Sequence, residues 1–204
     1  MPGSDAESDD FEMTLAQLRQ RVRALVSAER FEHIERVAKL AGQIAGANGF
    51  EASDRRRVAL AALLHDAARD LPDERLLELV EPANQLEAEH PLVLHGRASR
   101  RLASDWGVQD EKVLSAIEGH VFGVPADDEV GMAVYVADVS EPGRGVNAEL
   151  RELALRDLAA AYRKAVVCKV EYLRDGGKAI HPSTMRAYES LMAEQASGAR
   201  DDAA

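Results

Sequence analysis

The sequence predicts an all-α, single-domain fold, and three observations carry that expectation. Hydrophobic residues make up 46% of the chain and aromatics only 4%, with Ala and Leu dominant, a balance that favours packed helices over a β-sandwich. Apolar positions recur at helical spacing in one segment after another. At 204 residues the chain accommodates one domain with a substantial core and short tails, and neither a repeat nor an internal linker interrupts it.

The first dozen residues set Asp5, Glu7, Asp9, Asp10 and Glu12 among Pro, Gly and Ser, and read as a disordered acidic tail. The end, 196–204, reads likewise. Leu15, Leu18, Val22, Leu25 and Val26 predict an amphipathic helix within 13–29. Phe31, Ile34, Val37, Ala38, Ala41, Ile44 and Ala45 predict a second, closed by Asn48-Gly49. Ser53 or Asp54 caps a third that runs through the apolar stretch Val58–Leu64 to His65. Pro72 starts a short fourth. Helices follow from His95 to Asp105, stopped by Gly107, and from Asp110 to Val121. Val130–Val139 is ambiguous, since Val134-Tyr135-Val136 has strand character. Its neighbours are helical and no partner strand is evident, so a helix is expected. One long helix is expected over Asn147–Arg174, ending at Gly176-Gly177, and a last one after Pro182-Ser183.

The net charge of −11 disfavours non-specific binding to nucleic acid or to an anionic membrane surface. A single cysteine, Cys168, rules out an internal disulfide and a thiolate-rich zinc site; in its helical stretch a buried, inert thiol is expected. No window approaches a membrane span and the N-terminus lacks a basic-then-apolar signal, so a soluble cytoplasmic protein is expected. A homodimer stays open.

The chemistry concentrates in histidines and aspartates. His65-Asp66 ends an apolar run, where an adjacent imidazole and carboxylate are costly to desolvate without compensation. Either a divalent cation or a hydrogen bond within the pair meets that cost. His33 shares a helix face with Val37 and Ala41; His95 opens a helix, with Gly96 leaving room beside it. His120 closes the helix of Val113 and Ile117, and Asp138 sits in the apolar Val136-Ala137-Asp138-Val139. Five helical segments each bringing candidate ligands to an apolar surface favour the metal reading. A donor set of imidazoles and carboxylates without thiolate suits Fe, Mn, Co or Mg better than structural zinc.

The order His33, His65-Asp66, His95, His120, Asp138 resembles the HD-domain superfamily of metal-dependent phosphohydrolases. Arg30–Val37 (RFEHIERV), Leu63–Arg69 (LLHDAAR), Leu94-His95-Gly96, Ala116–Gly123 (AIEGHVFG), Ala137–Arg144 (ADVSEPGR) and Ala179–Thr184 (AIHPST) are similar to one branch. That branch is the YqeK-type symmetrical bis(5′-nucleosyl)-tetraphosphatases, and the similarity spans Arg30 to Leu191, within a phosphohydrolase domain over 30–195. The resemblance implies two divalent ions, with Fe foremost: His33, His65, Asp66 and Asp138 holding one, His95 and His120 the second, and Asp66 bridging. It implies a dinucleoside tetraphosphate, such as diadenosine tetraphosphate, cleaved at its centre into two nucleoside diphosphates by a metal-activated water. An HD-type nucleotidase acting on nucleoside monophosphates, or a non-catalytic nucleotide sensor, is the alternative.

Three departures stand out. Arg69 occupies a place where the branch often has Lys, Val121 stands where Thr commonly follows the second-site His, and the chain up to Ala28 lies outside the similarity. Because the overall charge opposes a polyphosphate, local cations must outweigh it. Arg144 is the first candidate for a phosphate contact and Arg69 the second, each otherwise a surface ion pair. Asp66, Arg69 and Arg144 are thus the catalytic candidates, and Arg69, Arg144 and His181 the substrate-binding ones. Glu141 is a candidate partner for a ligand or for Arg144. His181 either approaches the substrate or caps the last helix, His90 reads as a surface residue, and Arg97, Arg100 and Arg101 read as a solvated helix face.

Overall fold

A computed structural model describes residues 4–201, and among them every regular element is helical. Eleven α-helices follow one another: α1 (Ser4–Leu25), α2 (Ala28–Ala47), α3 (Ala52–Leu64), α4 (Asp73–Leu79), α5 (Gln85–Glu89), α6 (His95–Asp105), α7 (Glu111–Gly119), α8 (Glu129–Ser140), α9 (Ala148–Ala154), α10 (Leu158–Asp175) and α11 (Pro182–Asp201). Two single 3₁₀ turns, Pro91–Leu94 and Pro142–Arg144, complete the chain trace. The all-α, single-domain expectation holds.

The middle of the fold is α8, which packs against α2, α3, α7, α9 and α10. Its residues Val130 to Ala137 are all buried, so the helix is apolar all round. That explains the ambiguity of this segment in sequence: a helix buried on every side has no polar face to mark a period of 3.6. The run Ala61–Ala68 at the end of α3 is likewise buried throughout.

Most helix ends follow local chemistry. Asn48 caps α2 at its C-terminus and the adjacent Gly49 takes φ +74°, while Gly107 takes φ +98° after α6 and Gly177 takes φ +61° after α10. Asp110 caps α7 by accepting from the Lys112 N–H. The N-cap of α3 is Glu51, two or three residues ahead of the expected Ser53 or Asp54, and it makes no side-chain cap bond.

The first helix begins at Ser4 and the last ends at Asp201, while residues 1–3 and 202–204, within the stretches read as tails, lie outside the described residues. Two expectations are corrected. The long helix over Asn147–Arg174 is two helices, because Asp157 leaves helical geometry and accepts from the Ala160 N–H at 2.9 Å to cap α10 afresh. Cys168 is exposed, since α10 buries Leu158, Ala161, Tyr162, Val166 and Val170, and position 168 falls on the opposite face.

No helix among the described residues is long and apolar enough to cross a membrane.

Candidate metal centre

Three of the candidate histidines stand at ends of helical segments, and that placement sets their chemistry. His65 follows the last residue of α3, His120 follows α7, and His95 follows the 3₁₀ turn Pro91–Leu94. Helix ends leave carbonyls without intrahelical partners. Each imidazole bonds a carbonyl three residues back: His65 Nδ1 to the Ala62 carbonyl at 2.8 Å, His120 Nδ1 to Ile117 at 2.7 Å, and His95 Nδ1 to Leu92 at 2.7 Å, beside the bond from its own backbone N–H. A carbonyl only accepts, so Nδ1 carries the proton and Nε2 presents a lone pair. After Leu64 the chain continues in successive i→i+3 turns, including Arg69 N–H to the Asp66 carbonyl. These turns let the neighbours His65 and Asp66 aim at the same point.

His33 lies within α2 and reaches the same outcome through a side chain. Its Nδ1 donates to Glu141 Oε1 at 3.1 Å, which turns Nε2 toward Asp138 Oδ1 at 3.0 Å. Both oxygens are acceptors, so only a proton or a metal ion at Nε2 reconciles the two contacts. The Nε2 atoms of His95 and His120 face each other at 3.1 Å, again two lone pairs without a proton between them. His65 Nε2 is fully buried and has no hydrogen-bond partner. A buried orphan of this kind is costly unless something fills the space in front of it.

The two carboxylates complete the cluster. Asp66 Oδ2 faces His65 Nε2 at 3.6 Å and His33 Nε2 at 3.7 Å, while Asp66 Oδ1 lies 3.4 Å from both His95 Nε2 and His120 Nε2. One carboxylate thus shows one oxygen to each half of the histidine set. Asp138 Oδ1 lies 4.0 Å from His65 Nε2. Among the described residues two groups have ligand atoms close enough to share an ion, His33–His65–Asp138 and His65–Asp66–His120. The donor set fits a divalent cation: four imidazole Nε2 atoms and two carboxylates converge on one region.

Burial and neighbours tune these groups toward that use. Burial drives His65 below its ordinary range and His95 down to about 3, so both are neutral near neutral pH. Burial alone would raise the Asp66 carboxyl, but His65, His120 and His95 outweigh it and hold it well below the usual range. Asp138 is also lowered, because the hydrogen bond from His33 and the charges around it overcome its burial. His120 alone moves upward, where its contact with Asp66 outweighs desolvation.

Supporting groups hold the ligands in place. Tyr162 donates to the Val124 carbonyl at 2.7 Å and accepts from the Val124 N–H at 2.6 Å, while Lys169 donates to the Val121 carbonyl at 2.5 Å. Together they clamp the loop after His120 onto α10. Gly96 is required between α6 and α7: a Cβ there would stand 2.7 Å from Val121 Cγ2 and 2.8 Å from the Glu118 carbonyl oxygen.

Arg144 donates to both the backbone carbonyl and Oδ1 of Asp138, the latter at 2.5 Å. Arg69 lies beside His95 in a neighbouring cleft. Glu141 partners His33 and Arg36, not Arg144. His181 lies outside the cluster: its Nδ1 accepts from the Ser183 N–H, capping α11, and its Nε2 contacts the buried Glu87 at 3.0 Å. Arg97 also joins Glu87, at 2.7 Å, so it does not share the solvated face expected of it with Arg100 and Arg101. His90 is exposed, as expected.

Two arginines at the site escaped the sequence reading. Arg30 pairs with Asp66 Oδ2 at 2.9 Å and Arg36 with Glu141 at 2.7 Å. Both stand three residues from His33 in α2, and that spacing was the available signal.

The HD-domain profile matches residues 30–143, a span holding all six candidate ligands. The chain belongs to the HD-domain family. Among curated relatives of this HD-domain hydrolase, a symmetrical bis(5′-nucleosyl)-tetraphosphatase of Bacillus subtilis is 30% identical over 84% of this chain and 94% of its own length. Its counterpart in Halalkalibacterium halodurans is 29% identical over 86% of this chain and 96% of its own. A probable nicotinate-nucleotide adenylyltransferase/Ap4A hydrolase of Mycoplasma genitalium is 33% identical over 60% of this chain, which spans only 35% of that relative. A crystal structure of a predicted HD superfamily hydrolase involved in NAD metabolism, from Clostridium acetobutylicum, superposes with a TM-score of 0.78 at 29% identity, covering 88% of this chain and 97% of the other. The resemblance carried by the motifs is borne out at the level of the family.

Proposed function

We propose that this HD-domain hydrolase is a symmetrical dinucleoside tetraphosphatase that works with two divalent metal ions, Fe foremost and Mn, Co or Mg as alternatives. The observation that carries the reading is the division of Asp66, whose two oxygens face two separate histidine groups. His33, His65, Asp66 and Asp138 would hold one ion and His95 and His120 the other, with Asp66 common to both. Bound there, the ions supply a nucleophilic water at neutral pH and neutralise phosphate oxygens for in-line attack on phosphorus.

The chain's own groups do the rest. The Nδ1–H bonds of His65, His95 and His120 to helix-end carbonyls, and of His33 to Glu141, fix each ring with Nε2 inward. Arg144 and Arg69 bring positive charge to the two ends of the cluster, against the overall charge of −11, and would contact the phosphate chain. His181, engaged with Glu87 and Ser183, is left to a structural role in this reading. The substrate class draws its support from the names of relatives aligned over nearly their whole length.

Purified protein supplied with Mn, Co or Fe and diadenosine tetraphosphate tests the proposal. ADP as the sole nucleotide product is expected. AMP plus ATP contradicts central cleavage, while nucleotide binding without turnover under any of the metals favours a sensor.

A further inference from the structure

Two clefts open at the ends of the histidine cluster, and their walls differ in chemistry. The cleft that reaches His95, of about 470 Å³, is walled by His90, Pro91, Leu92, Val93 and Val121, with Arg69 and the exposed carboxylates of Asp73 and Glu89 also lining it. The cleft that reaches His33, of about 370 Å³, is walled by Arg30, Arg36, Arg144, Ser27, Asp70 and Glu141. Leu92 is 40% exposed and presents apolar area to this cleft. Of the four arginines in the two clefts, Arg69 alone has no carboxylate within ion-pair distance among the described residues, whereas Arg30, Arg36 and Arg144 are each paired.

We propose that the cleft at His95 is the nucleoside subsite and that the cleft at His33 takes phosphate alone, so that the site recognises one nucleoside of its substrate. This rests on the hydrolase reading above. A base and ribose lie favourably on Pro91, Leu92, Val93 and Val121, where apolar area leaves water. The same base in the other cleft would desolvate three guanidinium groups and their carboxylates, an unfavourable exchange. Phosphate oxygens suit that cleft, because guanidinium groups bind them in a fork. Arg69, unpaired at the neck of the nucleoside cleft, meets the phosphates nearest the sugar.

A second nucleoside is then dispensable. An adenosine 5′-tetraphosphate is cleaved as well: the water oxygen bonds to the γ phosphorus and the bridge to the β phosphate breaks. The bridging oxygen leaves on ADP, pyrophosphate is the other product, and the water's protons end on the products or in solvent.

Calorimetric titration of the Mn-loaded protein with ADP and, separately, with pyrophosphate tests the subsite, using Leu92→Asn and Arg69→Met. Leu92→Asn is expected to weaken ADP about fivefold, as removal of a partly covered apolar side chain implies, and to leave pyrophosphate within about twofold. Arg69→Met is expected to weaken both. Unchanged ADP affinity in Leu92→Asn, or an equal loss for both ligands, overturns the subsite. Binding needs no turnover, so a failure to cleave diadenosine tetraphosphate sinks the hydrolase reading without altering this result. Adenosine 5′-tetraphosphate left intact by a preparation that cleaves diadenosine tetraphosphate overturns the claim that one nucleoside suffices.

Discussion

Replacing Glu141 by Gln should switch off a metal ligand that it never touches the metal to support. Glu141 is 1% exposed and accepts four hydrogen bonds: from His33 Nδ1 at 3.1 Å and Arg36 Nη2 at 3.4 Å on Oε1, and from Arg36 Nε at 2.7 Å and the Gly143 N–H at 2.5 Å on Oε2. A Gln side chain keeps the volume but offers one acceptor oxygen. The two closest donors, at 2.7 and 2.5 Å, meet at the Oε2 position, so the amide oxygen settles there and its NH₂ turns to His33. His33 then accepts at Nδ1, carries its proton on Nε2, and points an N–H at Asp138 where a lone pair is needed. Outer-shell changes of this kind cost about 10- to 100-fold in metal affinity, or roughly 1.4–2.7 kcal/mol. The lost charge pairing with the partly exposed Arg36 adds little to the cost in stability. Titrating Mn into metal-free wild type and Glu141→Gln, with circular dichroism to verify the fold, measures the effect. An affinity within about twofold of wild type, in a folded variant, would refute the tautomer argument.

Three further expectations follow from the same geometry. In the metal-free protein, His65 and His95 are held below their unfolded values, so the unfolded chain binds more protons below about pH 6.5 and stability falls as pH drops through that range. With His95 lowered to about 3, its share at pH 5 is about 2 kcal/mol. His120, held above its unfolded value, acts the other way, and the low Asp66 and Asp138 add their loss only below about pH 4. The chelated protein should therefore melt at a lower temperature at pH 5 than at pH 7.5, and the reverse order would contradict the burial argument. Gly96→Ala should cost about 1–3 kcal/mol by overpacking against Val121 and the Glu118 carbonyl, and should reduce metal affinity by parting His95 from His120; a neutral thermal melt would count against it. Cys168, being exposed and far from the ligand set in role, should react fully with iodoacetamide while metal binding is unchanged.

The sequence carried the helices because amphipathic periods and caps are local: Asn48-Gly49, Gly107 and Gly177 stop helices by their own conformational preferences. It also named the six residues that the fold brings together, since imidazoles and carboxylates in apolar runs are conspicuous. What it left out is relational. That His65, His95 and His120 share one hydrogen bond to a carbonyl three residues back depends on where each helix ends. The division of Asp66 between two histidine groups depends on how α2, α3, α6 and α7 pack. The break at Asp157 was hidden because the flanking residues keep helical periodicity on both sides. Arg30 and Arg36 were hidden among many arginines, and Glu87 gains its buried role only once Arg97 and His181 arrive from distant segments.

The central claim is that Asp66 joins two metal ions, and counting ions per chain tests it most directly. Metal analysis of the Mn-loaded protein should give two ions per wild-type chain, and Asp66→Ala should stay folded while losing both metal and hydrolysis of diadenosine tetraphosphate. A single ion in the wild type, or wild-type metal content and activity in Asp66→Ala, would contradict the account.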